Sequence, residues 1–366
     1  MNVIQMISSG GFYGAERMMV HLSATLAEMG CRVLVAVFCN ELNPHLEVAK
    51  EARRLGLEVE EIQCRGRMDR TAIRQIAAMA SSFGACLVHS HGYKPNMYAR
   101  LALGLNGPKL VSTCHGFTDE TRRIRLNSWL DCRLLRAYHA ISAVSDGVRD
   151  RLVESGIPAS QIRVINNGIS FGTFAHAAPS LERRQGQLLV GFVGRLIPLK
   201  NPLGFLAAAR YAAAVVPHAR FLYIGDGPDR AQIEQLSREW DIEDRVSFLG
   251  FRADMPSVYA SLDLLVLPSF TEGLPMSILE CMAAGRPVIA TRVGAVDKLV
   301  QDGVTGVLLD PNDQPALDKA VVRLLQDRPL AEKLAAAGQQ LVREQFSTEA
   351  MTRQYLDLYR YAGAKE

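Results

Sequence analysis

The chain has 366 residues, 48% of them hydrophobic and 22% charged, with a formal net charge of +3. That length suggests two domains or one large one, with ample material for the core, and so even a charge balance gives no argument for a nucleic-acid partner. Seven cysteines are scattered without CxxC spacing, which favours small buried hydrophobes in a reducing cytosol over a zinc site or a disulfide framework.

Residues 3–7 read as a first strand rather than a signal peptide, lacking a basic start and a long apolar core. No run approaches the ~18 apolar residues of a spanning helix. The strand runs into a loop containing Gly10, Gly11 and Gly14. A helix follows with Met18, Met19, Leu22, Leu26 and Met29 on one stripe, then a strand at 33–38. This is β-α-β with a glycine-rich loop at the first strand's carboxyl end, where open α/β sheets bind ligands. The spacing is not G-x-G-x-x-G, so Gly11 offers close backbone approach and not a dinucleotide fingerprint. Glu16, in the first helical turn, suits the helix dipole.

Helices are expected near 44–55, 71–83 and 96–105, with strands at 58–62, 86–88 and 109–115. His89 and His91 end one of these strands, but no acidic or cysteine partner nearby completes a metal site. His115 ends the next strand on the same edge. Residues 122–136 interleave five arginines with Ile124, Trp129, Leu130 and Leu134. That pattern fits either a surface that meets an anionic lipid or acceptor, or an ordinary helix with its apolar side on the core. Residues 1–180 hold 20 Lys+Arg and 15 Asp+Glu (+5), and the remainder 21 and 23 (−2). Residues 174–187 show no periodicity and read as an interdomain linker.

The pattern restarts with a strand at 188–193 followed by Gly194-Arg195-Leu196-Ile197-Pro198-Leu199-Lys200. Arg195 offers a bidentate fork and Lys200 a mobile point charge, a pair suited to a pyrophosphate. A strand at 221–224 ends in Gly225-Asp226-Gly227-Pro228. After the apolar run 264–267 comes the most informative stretch, Thr271-Glu272-Gly273-Leu274-Pro275-Met276, then a helix through Ile278, Leu279 and Met282 that Gly285 stops. Strand, tight turn and helix aim backbone N–H groups at an anion. Glu272 and Glu280 lie eight positions apart beside it. Carboxylates there suit hydroxyl groups, as in a sugar attached to a phosphate. Two solvated glutamates on a surface helix would share the spacing, but not the Gly-x-Pro between them. The last helix, Thr348–Tyr361, carries a stripe of Met351, Tyr355, Leu356 and Tyr359.

The Glu-x7-Glu segment, the intact Gly-Arg-Leu-x-x-x-Lys run, the Gly-x-Gly-Pro turn and the Asp-Gly-x-Thr-Gly turn at 302–306 together resemble the retaining glycosyltransferases of family four (glycosyl transferases group 1). The resemblance covers nearly the whole chain and is strongest from Arg195 to Gly306. It implies the α/β GT-B fold, two Rossmann-like βαβ domains facing across a cleft with the C-terminal helix crossing back to the first. The domains implied are 1–173 on the acceptor side, a linker at 174–187, a nucleotide-sugar domain at 188–345, and the closing helix at 346–366. It implies catalytic roles for His115 (at the sugar), Arg195 and Lys200 (at the diphosphate) and Glu272 (at the sugar hydroxyls). Donor binding falls to Gly11, Gly225, Gly227, Phe251, Gly273, Leu274, Pro275, Met276 and Glu280, the last at the ribose. No metal and no cofactor are implied. The partners are a nucleoside-diphosphate sugar (UDP- or GDP-sugar) and a glycan or lipid-linked acceptor, with no nucleic acid. The expected location is cytoplasmic, with peripheral contact at the inner membrane face. Asn166, Ser170 and the Gly-Ala-x-Asp-Lys run at 294–298 depart from the family pattern. A nucleotide-sugar epimerase on the same fold and a non-catalytic nucleotide-sugar binder are the alternatives.

Overall fold

The computed structural model describes all residues except 9–10, 13, 40–45, 67, 105–106, 116–121 and 365–366, and the backbone alone for 122–128. The chain forms two compact units, Met1–Gly168 with Thr348–Glu366, and Ile169–Ser347.

Unit 1 holds seven parallel strands: β1 (Asn2–Ser8), β2 (Arg32–Cys39), β3 (Glu58–Gln63), β4 (Leu87–His91), β5 (Lys109–Cys114), β6 (Ala140–Ala143) and β7 (Ile162–Val164). Their order across the sheet is β3-β2-β1-β4-β5-β6-β7. Residue alternation along the strands divides the core between the two faces, since successive side chains point to opposite sides. Val3, Ile7, Val33, Val35 and Val37 join one cluster with Met351, Tyr355, Leu358 and Tyr359 of the last helix. Ile4, Met6, Leu34, Ala36 and Phe38 join the other, with Ile76, Met79 and Tyr98. The helix Thr348–Tyr361 is thus part of unit 1; Leu356 packs partly buried against this cluster as expected, and Leu358 is buried in it as well.

Unit 2 repeats the plan with β8 (Leu188–Val193), β9 (Ala219–Ile224), β10 (Val246–Gly250), β11 (Leu264–Leu267), β12 (Val288–Thr291) and β13 (Val307–Leu309), in the order β10-β9-β8-β11-β12-β13. In both sheets the first strand has its sequence successor on one side and a later strand on the other. That reversal of winding opens a ligand crevice at the carboxyl ends: between β1 and β4 in unit 1, between β8 and β11 in unit 2.

Residues 174–187 are not a free linker. The chain passes between units at Gly168–Ile169 and again at Ser347–Thr348. Phe171–Ala175 is helical, and Phe174 and Leu181 pack on the core of unit 2. The Ser180 and Leu181 amides donate to Ser261 Oγ at 2.9 and 3.0 Å, and Arg183 pairs with Asp263 at 3.1 Å. Long-range hydrogen bonds to backbone, invisible as periodicity, hold this stretch down.

Candidate active site

Three loops meet at the carboxyl ends of β9, β8 and β11. The loop after β8 carries Arg195, which is exposed, and a 3-10 turn Pro198–Lys200. Asn201 follows in the left-handed region (φ 52°) and caps the helix Pro202–Val215 by accepting from Gly204 N at 3.0 Å. The loop after β9 is stitched to it: Gly194 N donates to Ile224 O at 2.9 Å and Leu196 N to Asp226 O at 3.0 Å. Backbones run so close that a Cβ on Gly225 would lie 2.0 Å from Gly194 O, and one on Gly227 would lie 2.3 Å from Leu196 O. These two glycines, read in the sequence as neighbours of the nucleotide, therefore also fix the turn that presents Arg195.

The loop after β11 is joined in turn. Phe270 N donates to Leu199 O at 2.8 Å. Lys200 Nζ lies 2.6 Å from both carboxylate oxygens of Glu272, and Ser269 Oγ donates to Glu272 Oε1 at 2.7 Å. The Glu272 side chain is only 6% exposed and that of Lys200 24%, so each relieves the cost of burying the other's charge. The structure brings Lys200, which the sequence assigned to the diphosphate, against Glu272, which it assigned to the sugar hydroxyls. The helix Met276–Ala283 begins beside them with Pro275 at its N-cap and no side-chain cap. Proline has no side-chain oxygen to give, so the first N–H groups of this helix are left for another acceptor. Gly273 and Met276 are exposed while Pro275 is buried and Leu274 packs on the core. Glu280 is half-buried near the Tyr259 phenol, whose pKa is pushed well above its ordinary value, first by burial and then by that carboxylate. Phe251, after the edge strand β10, is 88% exposed.

In unit 1, Gly11 is half-buried after β1, and Glu16 is buried in the first turn of the helix Gly14–Glu28. Gly10 and Tyr13 of this loop lie outside the described residues. His115 follows β5, with its Nε2 3.0 Å from His91 Nδ1 and the two rings stacked at 5.3 Å. His89 and His91 share one strand face, and both are buried in a polar cluster with Gln5, Tyr355 and Tyr359. Sequence reasoning saw a His-x-His pair and weighed metal. The partners were 24 to 270 positions away, and the local signal was polar residues where a buried strand should be apolar. Among the described residues no group of three or more His, Cys, Asp or Glu could hold a metal ion.

Burial holds all three rings neutral. His115 is lowered to about 4, His89 to about 3, and His91 well below its usual value. In the unfolded chain each titrates near ~6.5. Between that pH and the folded values the unfolded state binds more protons, so stability is full above about pH 6.5 and is lost as pH falls, by at most about 1.4 kcal/mol per unit for each ring. Buried Asp131, raised to about 6, works oppositely over about pH 4 to 6. We predict that the denaturant midpoint drops between pH 7 and pH 5. A flat profile would show that the rings protonate without cost to the fold.

A family model described as Glycosyltransferase Family 4 matches residues 12–171, and one described as Glycosyl transferases group 1 matches residues 187–327. The chain belongs to the group 1 glycosyltransferases of family four. This glycosyltransferase is 29% identical over 260 residues to the UDP-Gal:alpha-D-GlcNAc-diphosphoundecaprenol alpha-1,3-galactosyltransferase of Escherichia coli, an alignment spanning 67% of each chain. It is 31% identical over 248 residues to the alpha-D-kanosaminyltransferase of Streptomyces kanamyceticus, spanning 64% of each. The chain thus covers about two thirds or less of the length of these relatives. Among solved structures, Anabaena HepE in complex with UDP superposes with a TM-score of 0.75 at 21% identity, covering 98% of the glycosyltransferase and all of HepE. That likeness is one of fold, and the fold is GT-B.

Proposed function

We propose that this glycosyltransferase moves a sugar from a UDP-sugar to a glycan or lipid-linked acceptor, with retention of configuration. The observation that carries the reading is the Lys200–Glu272 pair at the β8/β11 switch point, beside Arg195 and an uncapped helix N-terminus. A departing diphosphate needs positive charge aimed at it in advance. Arg195 and Lys200 supply cations, and the backbone N–H groups of Gly273, Leu274 and Met276 supply dipoles. Lys200 orients the Glu272 carboxylate through both of its oxygens, and Glu272 accepts hydrogen bonds from the sugar hydroxyls. Glu280 takes the ribose, Gly11 gives the donor close backbone approach, Phe251 meets the base, and His115 meets a sugar hydroxyl. No cofactor beyond the donor enters this scheme. The uridine base and the diphospholipid acceptor are supported by the name of the E. coli relative, and UDP also by the HepE complex.

A lipid-linked acceptor would bring the protein to a membrane surface. No helix among the described residues is long and apolar enough to cross one. The helix Arg122–Leu135 offers half-exposed Trp129 with the Arg133 guanidinium 4.2 Å above its ring, a pairing suited to an interface.

The test is transfer from UDP- and GDP-sugars to a polyprenyl-diphosphate-sugar acceptor, with and without a chelator. We expect turnover with UDP-sugars that persists in EDTA. Interconversion of free nucleotide-sugar without acceptor would identify an epimerase, and binding without either reaction would identify a binder.

A further inference from the structure

A buried chain of hydrogen bonds links the last helix to His115, and its chemistry fixes where the protons sit. Gln5 is the turning point. Its Nε2 donates to Tyr359 Oη at 3.1 Å, and its Oε1 lies 2.9 Å from His91 Nε2. A carboxamide oxygen has no proton, so His91 must donate from Nε2. Burial keeps the His91 ring neutral, so its Nδ1 is a lone pair. That lone pair faces His115 Nε2 at 3.0 Å, and the one proton that can occupy the contact belongs to His115.

The rest of the cluster agrees with this polarity. Tyr359 Oη accepts from Gln5, which leaves its own proton for His89 Nδ1, 2.8 Å away. His89 then donates from Nε2 to Thr113 Oγ1 at 2.8 Å, and Thr113 faces Tyr355 Oη at 2.9 Å. Every donor along the run has an acceptor. Turning the Gln5 carboxamide over would reverse each step and move the His115 proton to Nδ1.

We propose that His91 is a positioning residue for the transfer reaction: it holds the proton of His115 on Nε2 and the ring plane in place, so that His115 offers its Nδ1 lone pair to a donating hydroxyl of the sugar. This rests on the reading that His115 meets the sugar. Gln5 and Tyr359 extend the control, so a side chain on the C-terminal helix helps set the acceptor edge of a residue after β5.

The direct test is the tautomer. Nitrogen-15 spectra of the full-length protein labelled at histidine, with His115 assigned through His115→Ala, are expected to show His115 protonated at Nε2. Protonation at Nδ1 overturns the proposal. The kinetic test uses two variants of His91. His91→Asn keeps an acceptor at the Nδ1 position, whereas His91→Gln keeps the group that meets Gln5 and loses the one that meets His115. We expect His91→Gln to lower kcat by about 10- to 100-fold, the range for losing a partner that orients a functional side chain. Donor KM and Tm should be nearly unchanged, and His91→Asn should rescue most of the rate. Equal losses in both variants, or losses that track Tm, overturn the positioning role. Unchanged transfer by His115→Ala would instead remove the reading that His115 meets the sugar, while the spectra still decide whether His91 sets the ring.

Discussion

Lys200→Ala is expected to lower transfer at least a hundredfold and to destabilise unit 2, and the two losses are expected to separate when Glu272 is replaced as well. Removing one preorganised donor to a developing negative charge costs roughly 10²–10³ in rate, and Lys200 is the mobile cation of the proposed diphosphate site. The stability loss has another origin. Glu272 is nearly buried, with Lys200 and Ser269 as its partners in the loops. Breaking a buried pair by deleting one partner costs about 3–5 kcal/mol. Lys200 is 24% exposed, so the low end of that range applies, roughly 3 kcal/mol, or about 6–12 °C in Tm for a unit of this size. In Lys200→Ala/Glu272→Gln the remaining amide is neutral and still accepts from Ser269. We predict that Tm recovers while transfer does not. A single variant with normal transfer would sink the proposed role of Lys200, and a double variant as unstable as the single would sink the account of the pair.

Gly294→Ala is the second large effect. Gly294 lies after β12 with φ +57°, where a side chain costs about 1–2 kcal/mol. Its Cβ would stand 1.9 Å from the Glu272 carbonyl oxygen and 2.8 Å from the carbonyl carbon. The neighbouring Ala295 N donates to Gly273 O at 3.0 Å, so the 272–273 turn cannot retreat without giving up that bond. Overpacking adds about 1–3 kcal/mol, and a displacement of about 1 Å at a reacting centre costs on the order of 10²-fold in rate. Gly273→Ala is the control. Nothing lies within 4 Å of its Cβ, so we expect wild-type Tm and a change confined to donor KM and kcat. The measurements are thermal midpoints and steady-state kinetics of both variants. Wild-type rates for Gly294→Ala would show that the turn does not place Glu272.

These two cases show what the sequence could carry. Strands such as 33–38 are legible because each face of a doubly wound sheet must be apolar. Arg195, Lys200, Glu272 and Glu280 are legible because they sit at fixed offsets from glycine turns at strand ends. What escaped has a common cause. The Lys200–Glu272 contact joins residues 72 apart, and the Gln5–Tyr359 contact joins residues 354 apart. No local pattern announces such pairs. Gly225 and Gly227 were legible as glycines, but not that Gly194 and Leu196 carbonyls occupy the space their missing side chains leave. Residues 174–187 looked like loose chain because backbone hydrogen bonds to Ser261 and the Arg183–Asp263 ion pair leave no periodic trace.

The two crossings at Gly168–Ile169 and Ser347–Thr348 make unit 2 an insertion within unit 1. During synthesis the residues of unit 2 emerge as one continuous piece, whereas the first 168 residues must wait for the helix Thr348–Tyr361 before Gln5 and His89 find Tyr359. Domains generally fold as units while the chain is made. Here the inserted unit can be complete while the enclosing one still exposes a half-covered sheet. A chain released after residue 347 would therefore hold the loops of Lys200 and Glu272 and lack the Tyr359 hydroxyl that Gln5 and His89 meet.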